Sequence, residues 1–164
     1  MAKNPYSDDY LTPRWVWEPW HQGLNLMIDA AAGSKPLPCC VKFYTKADDA
    51  FKQNWAADLA AVSLGAEAAV WCNPPYSRTG GPIIRWVRKA LEESAKGIIV
   101  VMLLPADTST DWFSLLWDRV ECCWRPSIRG YFIDARVKFL HPQTGLPSRG
   151  TPTFGSLLVL FGVE

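Results

Sequence analysis

The sequence predicts an α/β fold built on a mostly parallel sheet, and three stretches carry that prediction. Ile98 to Leu104 is an uninterrupted aliphatic and β-branched run, the pattern of a strand covered on both faces. Before it, over about 82–95, Ile83, Ile84, Val87, Ala90 and Leu91 recur at helical spacing, with Arg85, Arg88 and Lys89 largely on the remaining surface. Further upstream, Ala69 to Cys72 is a second apolar run, which stops abruptly in Asn73-Pro74-Pro75-Tyr76. Strand, helix and strand in that order make a parallel crossover.

The chain of 164 residues, 49% apolar and 13% aromatic, is long enough for one domain with a real core and short for two. A single domain over 1–164 is expected, with 1–11 as a polar lead-in. A net charge of +1 announces no polyanionic partner, so any nucleic-acid contact falls to local patches. The five cysteines form two adjacent pairs, 39/40 and 122/123, plus Cys72, without Cys-x-x-Cys spacing, and only His21 and His141 could join them. That favours reduced thiols over a disulfide framework or a metal site. The first ten residues lack the apolar core of a signal peptide, and no run approaches the ~20 apolar residues of a membrane span. A soluble cytoplasmic protein is expected.

Taken in order, Thr12-Pro13 offers an N-cap hydroxyl and a proline at the first helical position, predicting a short helix to about His21. Its Trp15, Trp17 and Trp20 suit either a packed core or a ligand-facing surface. Leu24 to Ile28 reads as a strand ending in Asp29, with Ala30, Ala31, Ala32 and Gly33 as a small-residue turn. A carboxylate at the C-terminal end of a parallel strand lies where open α/β sheets bind ligands, and can pair with a ligand ammonium group or simply close a turn. Cys39 to Tyr44 reads as a second strand. Asp48 and Asp49 then either cap a short helix to Trp55 or, as acids after a second strand, address a ribose diol.

Beyond the central motif, 77–82 is a turn-rich loop containing Arg78, and Gly97 ends the helix. After Leu104, 105–110 reads as a hydroxyl-rich loop leading to an amphipathic helix carrying Trp112, Phe113, Leu116 and Val120. Glu121 to Trp124 and Tyr131 to Leu140 read as short strands, and Ser156 to Phe161 as a terminal apolar one. Arg125, Arg129, Arg136 and Lys138 interleave with Trp124, Tyr131, Phe132 and Phe139, which suits phosphates and bases or merely a solvated face.

The prolines of Asn73-Pro74-Pro75-Tyr76 hold Asn73 and Pro74 extended. The Asn73 amide oxygen and the Pro74 carbonyl can each accept from an amino group, and Tyr76 can stack on a flat ring. The stretch is therefore either a strand-ending turn or a seat for an exocyclic amine on a planar heterocycle.

Asn-Pro-Pro-Tyr after an apolar strand resembles the catalytic motif of amino-group methyltransferases. Joined to Thr12-Pro13, Asp29-Ala30-Ala31, Asp48-Asp49, Ala135-Arg136-Val137-Lys138-Phe139 and Phe154-Gly155-Ser156 in that order, it is similar to the phage-type, Dam-related DNA N6-adenine methyltransferases over most of the chain. The resemblance implies a Rossmann-like S-adenosylmethionine-dependent methyltransferase sheet, mostly parallel with an antiparallel C-terminal edge and helices on both faces. It also implies S-adenosylmethionine as cofactor, no metal, and DNA as partner, with a flipped adenine as methyl acceptor. Asn73, Pro74, Pro75 and Tyr76 would be catalytic. Thr12, Pro13, Asp29, Ala30 and Ala31 would hold the methionine portion of the cofactor, and Asp48 or Asp49 its ribose or adenine. Arg78, Arg125, Arg129, Arg136 and Lys138 would contact DNA. One departure is the first glycine loop, where only Asp29 to Gly33 of a longer Asp-x-x-x-Gly-x-Gly pattern is present and Lys35 stands where another glycine could. Methylation of RNA or of a protein glutamine, and a non-catalytic nucleic-acid-binding relative, stay open as alternatives. With no separate recognition region, base reading falls to loops such as 77–82 and 141–153, so a short or relaxed target site is expected.

Overall fold

The long strand β4, Ile99–Pro105, divides a six-stranded sheet into a parallel and an antiparallel half. A computed structural model describes residues 8–77, 82–148 and 152–164. Around β4 the chain forms α1 (Arg14–Leu24), β1 (Leu26–Asp29), β2 (Lys42–Phe43), α2 (Trp55–Ser63), β3 (Ala69–Cys72) and α3 (Ile83–Ser94). After it come a 3-10 turn (Phe113–Leu115), a small hairpin of β5 (Trp117–Asp118) and β6 (Cys123–Trp124), then β7 (Ile128–Ile133) and β8 (Ser156–Phe161). The strand order is β2-β1-β3-β4-β8-β7. The first four are parallel, and β8 runs antiparallel to both β4 and β7. The order reverses between β1 and β3, and the crevice beyond their C-terminal ends is where open α/β sheets take ligands.

Both faces of the sheet are covered. Trp55 and Leu59 of α2 and Trp86, Val87 and Ala90 of α3 pack over Val70, Val100, Met102 and Val159. On the other face Val16 and Trp17 of α1, with Leu37 and Val137 from irregular segments, cover Ala69, Trp71, Val101, Leu103 and Leu158. Strict alternation assigns each strand residue to one side. The exception is β1, where Leu26 pairs with Ala69 and Ile28 already with Val70. This bulge puts two β1 residues opposite one of β3 and turns Asp29 to the α1 face, level with Trp71.

Several local expectations are corrected. Pro13, not Thr12, is the N-cap of α1, and the cap is made without a side-chain hydrogen bond. Trp17 belongs to the core while Trp15 is exposed. The strand expected over Cys39 to Tyr44 shrinks to Lys42–Phe43. Asp48 and Asp49 cap no helix. Asp48 accepts from the Thr45 backbone and hydroxyl at 2.7 and 2.6 Å, and Asp49 takes a positive φ of 52°. The helix begins at Trp55 instead, capped by Asn54, whose Oδ1 accepts from Ala57 N.

The helix expected around Trp112 to Val120 is a single 3-10 turn. The Asp118 carboxylate accepts from the backbone of Val120 and Glu121, a local turn that competes with helix, and Trp117 leaves to pair with Trp124. The strand expected over Tyr131 to Leu140 lies earlier, at Ile128–Ile133, and 134–139 is irregular.

Candidate active site

The crevice predicted by the strand order is a cavity of about 270 Å³. Asp29 and Ala31 from the end of β1, and Trp71 and Asn73 to Ser77 from β3 and its extension, form its floor. Thr12, Phe139 and Phe154 close its sides. Asp29, Trp71 and Asn73 meet because all three side chains fall on the α1 face. For Asp29 that depends on the β1 bulge, and for Asn73 on its position two residues past Trp71.

Asn73 is the centre of this wall. Its Nδ2 donates to Thr12 Oγ1 at 3.1 Å. Its Oδ1 is buried and has no hydrogen-bond partner. Leaving a buried carbonyl oxygen unpaired costs about 1–3 kcal/mol, so such an atom in a cavity wall marks a place for a ligand donor. Thr12, freed from capping, fixes which end of the amide is spent and which is offered.

Tyr76 is anchored just as firmly. Its hydroxyl donates to the Leu103 carbonyl of β4 at 2.9 Å, and its ring meets Phe154 and Phe139 edge-on at centroid distances of 5.7 and 6.4 Å. Burial of the hydroxyl end, with Cys72 nearby as a lesser cause, pushes the phenol well above its ordinary value, so it stays neutral. The ring itself is half-buried and borders the cavity.

Asp29 is 5% exposed and accepts from Leu37 N at 2.9 Å and Ala31 N at 3.2 Å. Burial outweighs those two bonds and pushes its carboxyl up to about 6. A folded-state value above the unfolded one means that the contribution of this group to stability is fully present below about pH 3.8 and is lost as pH rises through about 6. The loss is worth ~3 kcal/mol at 1.36 kcal/mol per pH unit. Denaturation midpoints of the ligand-free protein should therefore carry a downward slope between pH 4 and 6 that Asp29→Asn removes. Equal slopes in the two proteins would show that the carboxylate is not desolvated. A cation bound beside Asp29 should reverse the effect and release a proton on binding below pH 6.

Of the other residues singled out from the sequence, Pro74 and Pro75 line the cavity. Pro13, Ala30, Asp48 and Asp49 are not among its lining residues. Arg136 and Lys138 are exposed on either side of buried Val137, just before cavity-lining Phe139. Arg125 borders a different cleft, and Arg129, level with Leu160 and Val101, sits toward the starting half of β4. Arg78 lies outside the described residues. Asp8 to Leu11, read from sequence as part of a lead-in, also line the cavity. They are strapped across it by Asp8 to Ser77, Asp9 to Ser34 and the Leu11–Leu140 bridge. No periodicity marks so short a segment, although two acids beside a tyrosine hint at it. Trp71 could have been found by counting back two residues from Asn73. Among the described residues no group of His, Cys, Asp and Glu could hold a metal ion, and no helix is long and apolar enough to cross a membrane.

Over residues 1–162 the chain matches the family described as DNA N-6-adenine-methyltransferase (Dam). The chain belongs to the Dam family. A relative from Escherichia phage T1, named DNA N-6-adenine-methyltransferase, is 35% identical over 128 residues, covering 72% of this chain and 47% of that protein. A relative of the same name from Haemophilus phage HP1 is 27% identical over 146 residues, covering 88% of this chain and 73% of that protein. The chain thus spans about half the length of the phage T1 relative. Membership in the Dam family agrees with the amino-group methyltransferase resemblance of Asn73-Pro74-Pro75-Tyr76.

Proposed function

We propose that this chain is a DNA N6-adenine methyltransferase with a Rossmann-like methyltransferase fold, using S-adenosylmethionine and acting on a flipped adenine in the host cytoplasm of a phage. The observation that carries the reading is the buried, unpartnered Oδ1 of Asn73 in the cavity wall. It is an acceptor held in place by Thr12, and its natural complement is an N–H donor such as an exocyclic amine. Family membership and the phage relatives' printed names support the same activity.

The adenine amine is a poor nucleophile because its lone pair is delocalised into the ring. Accepting its two N–H groups on Asn73 Oδ1 and the Pro74 carbonyl favours a pyramidal nitrogen with the lone pair directed outward. Tyr76, tethered through its hydroxyl, keeps its ring at a fixed height for the base to stack on. These groups are positioned before substrate arrives, so little reorganisation accompanies reaction. In this reading the Asp29 carboxylate pairs with the ammonium group of the cofactor, and Thr12 and Ala31, which line the same cavity, border its methionine portion. S-adenosylmethionine supplies the electrophilic sulfonium methyl when bound. Arg78, Arg136 and Lys138 are the cations proposed to hold DNA.

Methyl transfer from labelled S-adenosylmethionine to DNA, RNA and protein offered in parallel tests the reading. Label is expected in DNA, as N6-methyladenine after digestion. Label confined to protein or RNA would overturn it.

A further inference from the structure

A second cleft, of about 890 Å³, opens beside the C-terminal end of β4, and the proposed chemistry does not use it. Its walls are rings and guanidinium groups: Trp117, Trp124, Phe132, Arg119 and Arg125, with Thr110 at the rim. Trp117 and Trp124 are register partners across the β5–β6 hairpin, edge to face at 5.3 Å, and Phe113 stacks behind Trp117 at 6.4 Å. The β7 strand is shaped to receive this cluster. A Cβ on Gly130 would come within 2.1 Å of the Trp124 ring, so only glycine lets the indole lie down there. Yet both indoles are half-exposed, and Phe132 is 64% exposed. Arg125 Nε donates to the Ser114 carbonyl at 3.2 Å and its Nη1 lies 3.5 Å from Asp118, which orients the guanidinium. Among the described residues Arg119 forms no ion pair.

The two clefts flank one pair of strand ends from opposite faces of the sheet, the catalytic cavity on the α1 face and the second cleft, backed by Phe113, on the α2 and α3 face. Ala106 N donates to Gly155 O at 2.9 Å, joining the end of β4 to the start of β8. Phe154, on one side of this bond, lines the catalytic cavity, and Thr108, two residues past Ala106, lines the second cleft. From Phe154 to Thr108 the path is at most ~16 Å, one residue step of ~4 Å, ~5 Å across the hydrogen-bonded pair and ~7 Å for the two residues after Ala106, about the reach of two or three nucleotides.

We propose that the second cleft is a flanking-nucleotide subsite, in which Trp117, Trp124 and Phe132 stack on a base two or three nucleotides from the extruded adenine while Arg119 and Arg125 hold adjacent phosphates. The proposal rests on the DNA reading above and gives it a second point of attachment. Base–ring stacking tolerates any base because every base has a flat face, so the subsite adds affinity without lengthening the recognised sequence.

Phe132→Ala and Arg119→Ala test it, because both side chains are exposed and their loss leaves the core intact. Phe132→Ala is expected to raise KM for DNA about 5- to 150-fold with kcat and S-adenosylmethionine binding unchanged, the range of one lost stack. Arg119→Ala is expected to flatten the dependence of log affinity on log salt by roughly 0.7–0.9, one phosphate contact, and Arg119→Lys to restore it. Normal KM and salt slope in both alanine variants, with DNA still methylated, would overturn the subsite alone. Failure of the unaltered protein to methylate or bind DNA while it methylates another acceptor would overturn the DNA reading and the subsite with it.

Discussion

Asn73→Ala is expected to reduce methyl transfer by a factor on the order of 10² to 10³, the usual cost of losing one preorganised polar contact to the reacting group. Binding of S-adenosylmethionine, followed by calorimetry, should change little, because Asp29 and the small-residue turn behind it remain. Turnover near the unaltered level would remove Asn73 from the reaction. The bond from Asn73 Nδ2 to Thr12 sharpens this test. An amide has one acceptor end, and Thr12 decides which way it points. Thr12→Val is therefore expected to lower kcat about tenfold, with KM for DNA little changed. In an Asn73→Asp background both oxygens accept, so orientation no longer matters and the same Thr12→Val change should cost less. A double-mutant cycle measures the difference. Equal losses in the two backgrounds would mean that Thr12 merely packs.

Glu93→Ala is expected to destabilise the protein by ~3–5 kcal/mol, the range for removing one partner of a buried ion pair. Glu93 is fully buried at the end of α3. It accepts from Lys89 at 2.6 Å, from Lys96 at 2.9 Å and from Ala56 N, in the first turn of α2, at 3.0 Å. Losing it leaves Lys89, which is 8% exposed, with its looser 3.6 Å pair to exposed Glu92, and uncaps a helix that the Asn54 side chain only partly satisfies. Burial pushes the Glu93 carboxyl up, but the two ammonium groups and the amide outweigh it and hold it below its ordinary value. Its stabilisation is thus present above about pH 4.5 and fades as pH falls, opposite in sign to that of Asp29. Urea midpoints at pH 7 give the magnitude. A loss below ~1 kcal/mol would show that Lys89 finds water or Glu92 at no cost.

The parallel half of the sheet was legible because its strands are buried on both faces and read as plain apolar runs: Ile98 to Leu104 yields β4 almost to the residue. The α3 helix was equally plain from its periodicity. The α2 helix was not, because small alanines give almost no contrast between its faces, and its start depends on one Asn side chain. The segment from Trp112 to Val120 carried helical spacing, but side-chain pairing between Trp117 and Trp124 and the Asp118 turn prevailed over it. At the site, Asn73 to Tyr76 stood out because two adjacent prolines are rarely idle. The Thr12 hydroxyl was read as a cap, since nothing local reveals that it meets a residue sixty-one positions away.

The bulge in β1 makes the site depend on counting. Met27 is the extra residue between Leu26 and Ile28, and it shares with Ile28 the face packed under α2 and α3. Were Met27 drawn into regular pairing instead, alternation would carry the Asp29 carboxylate through the sheet into the apolar core on the far side. Losing the bulge with Met27 still in place would leave every residue of the cavity present in the chain and the cavity itself without its acid. The spacing of β1 is thus as much a part of the binding apparatus as any side chain.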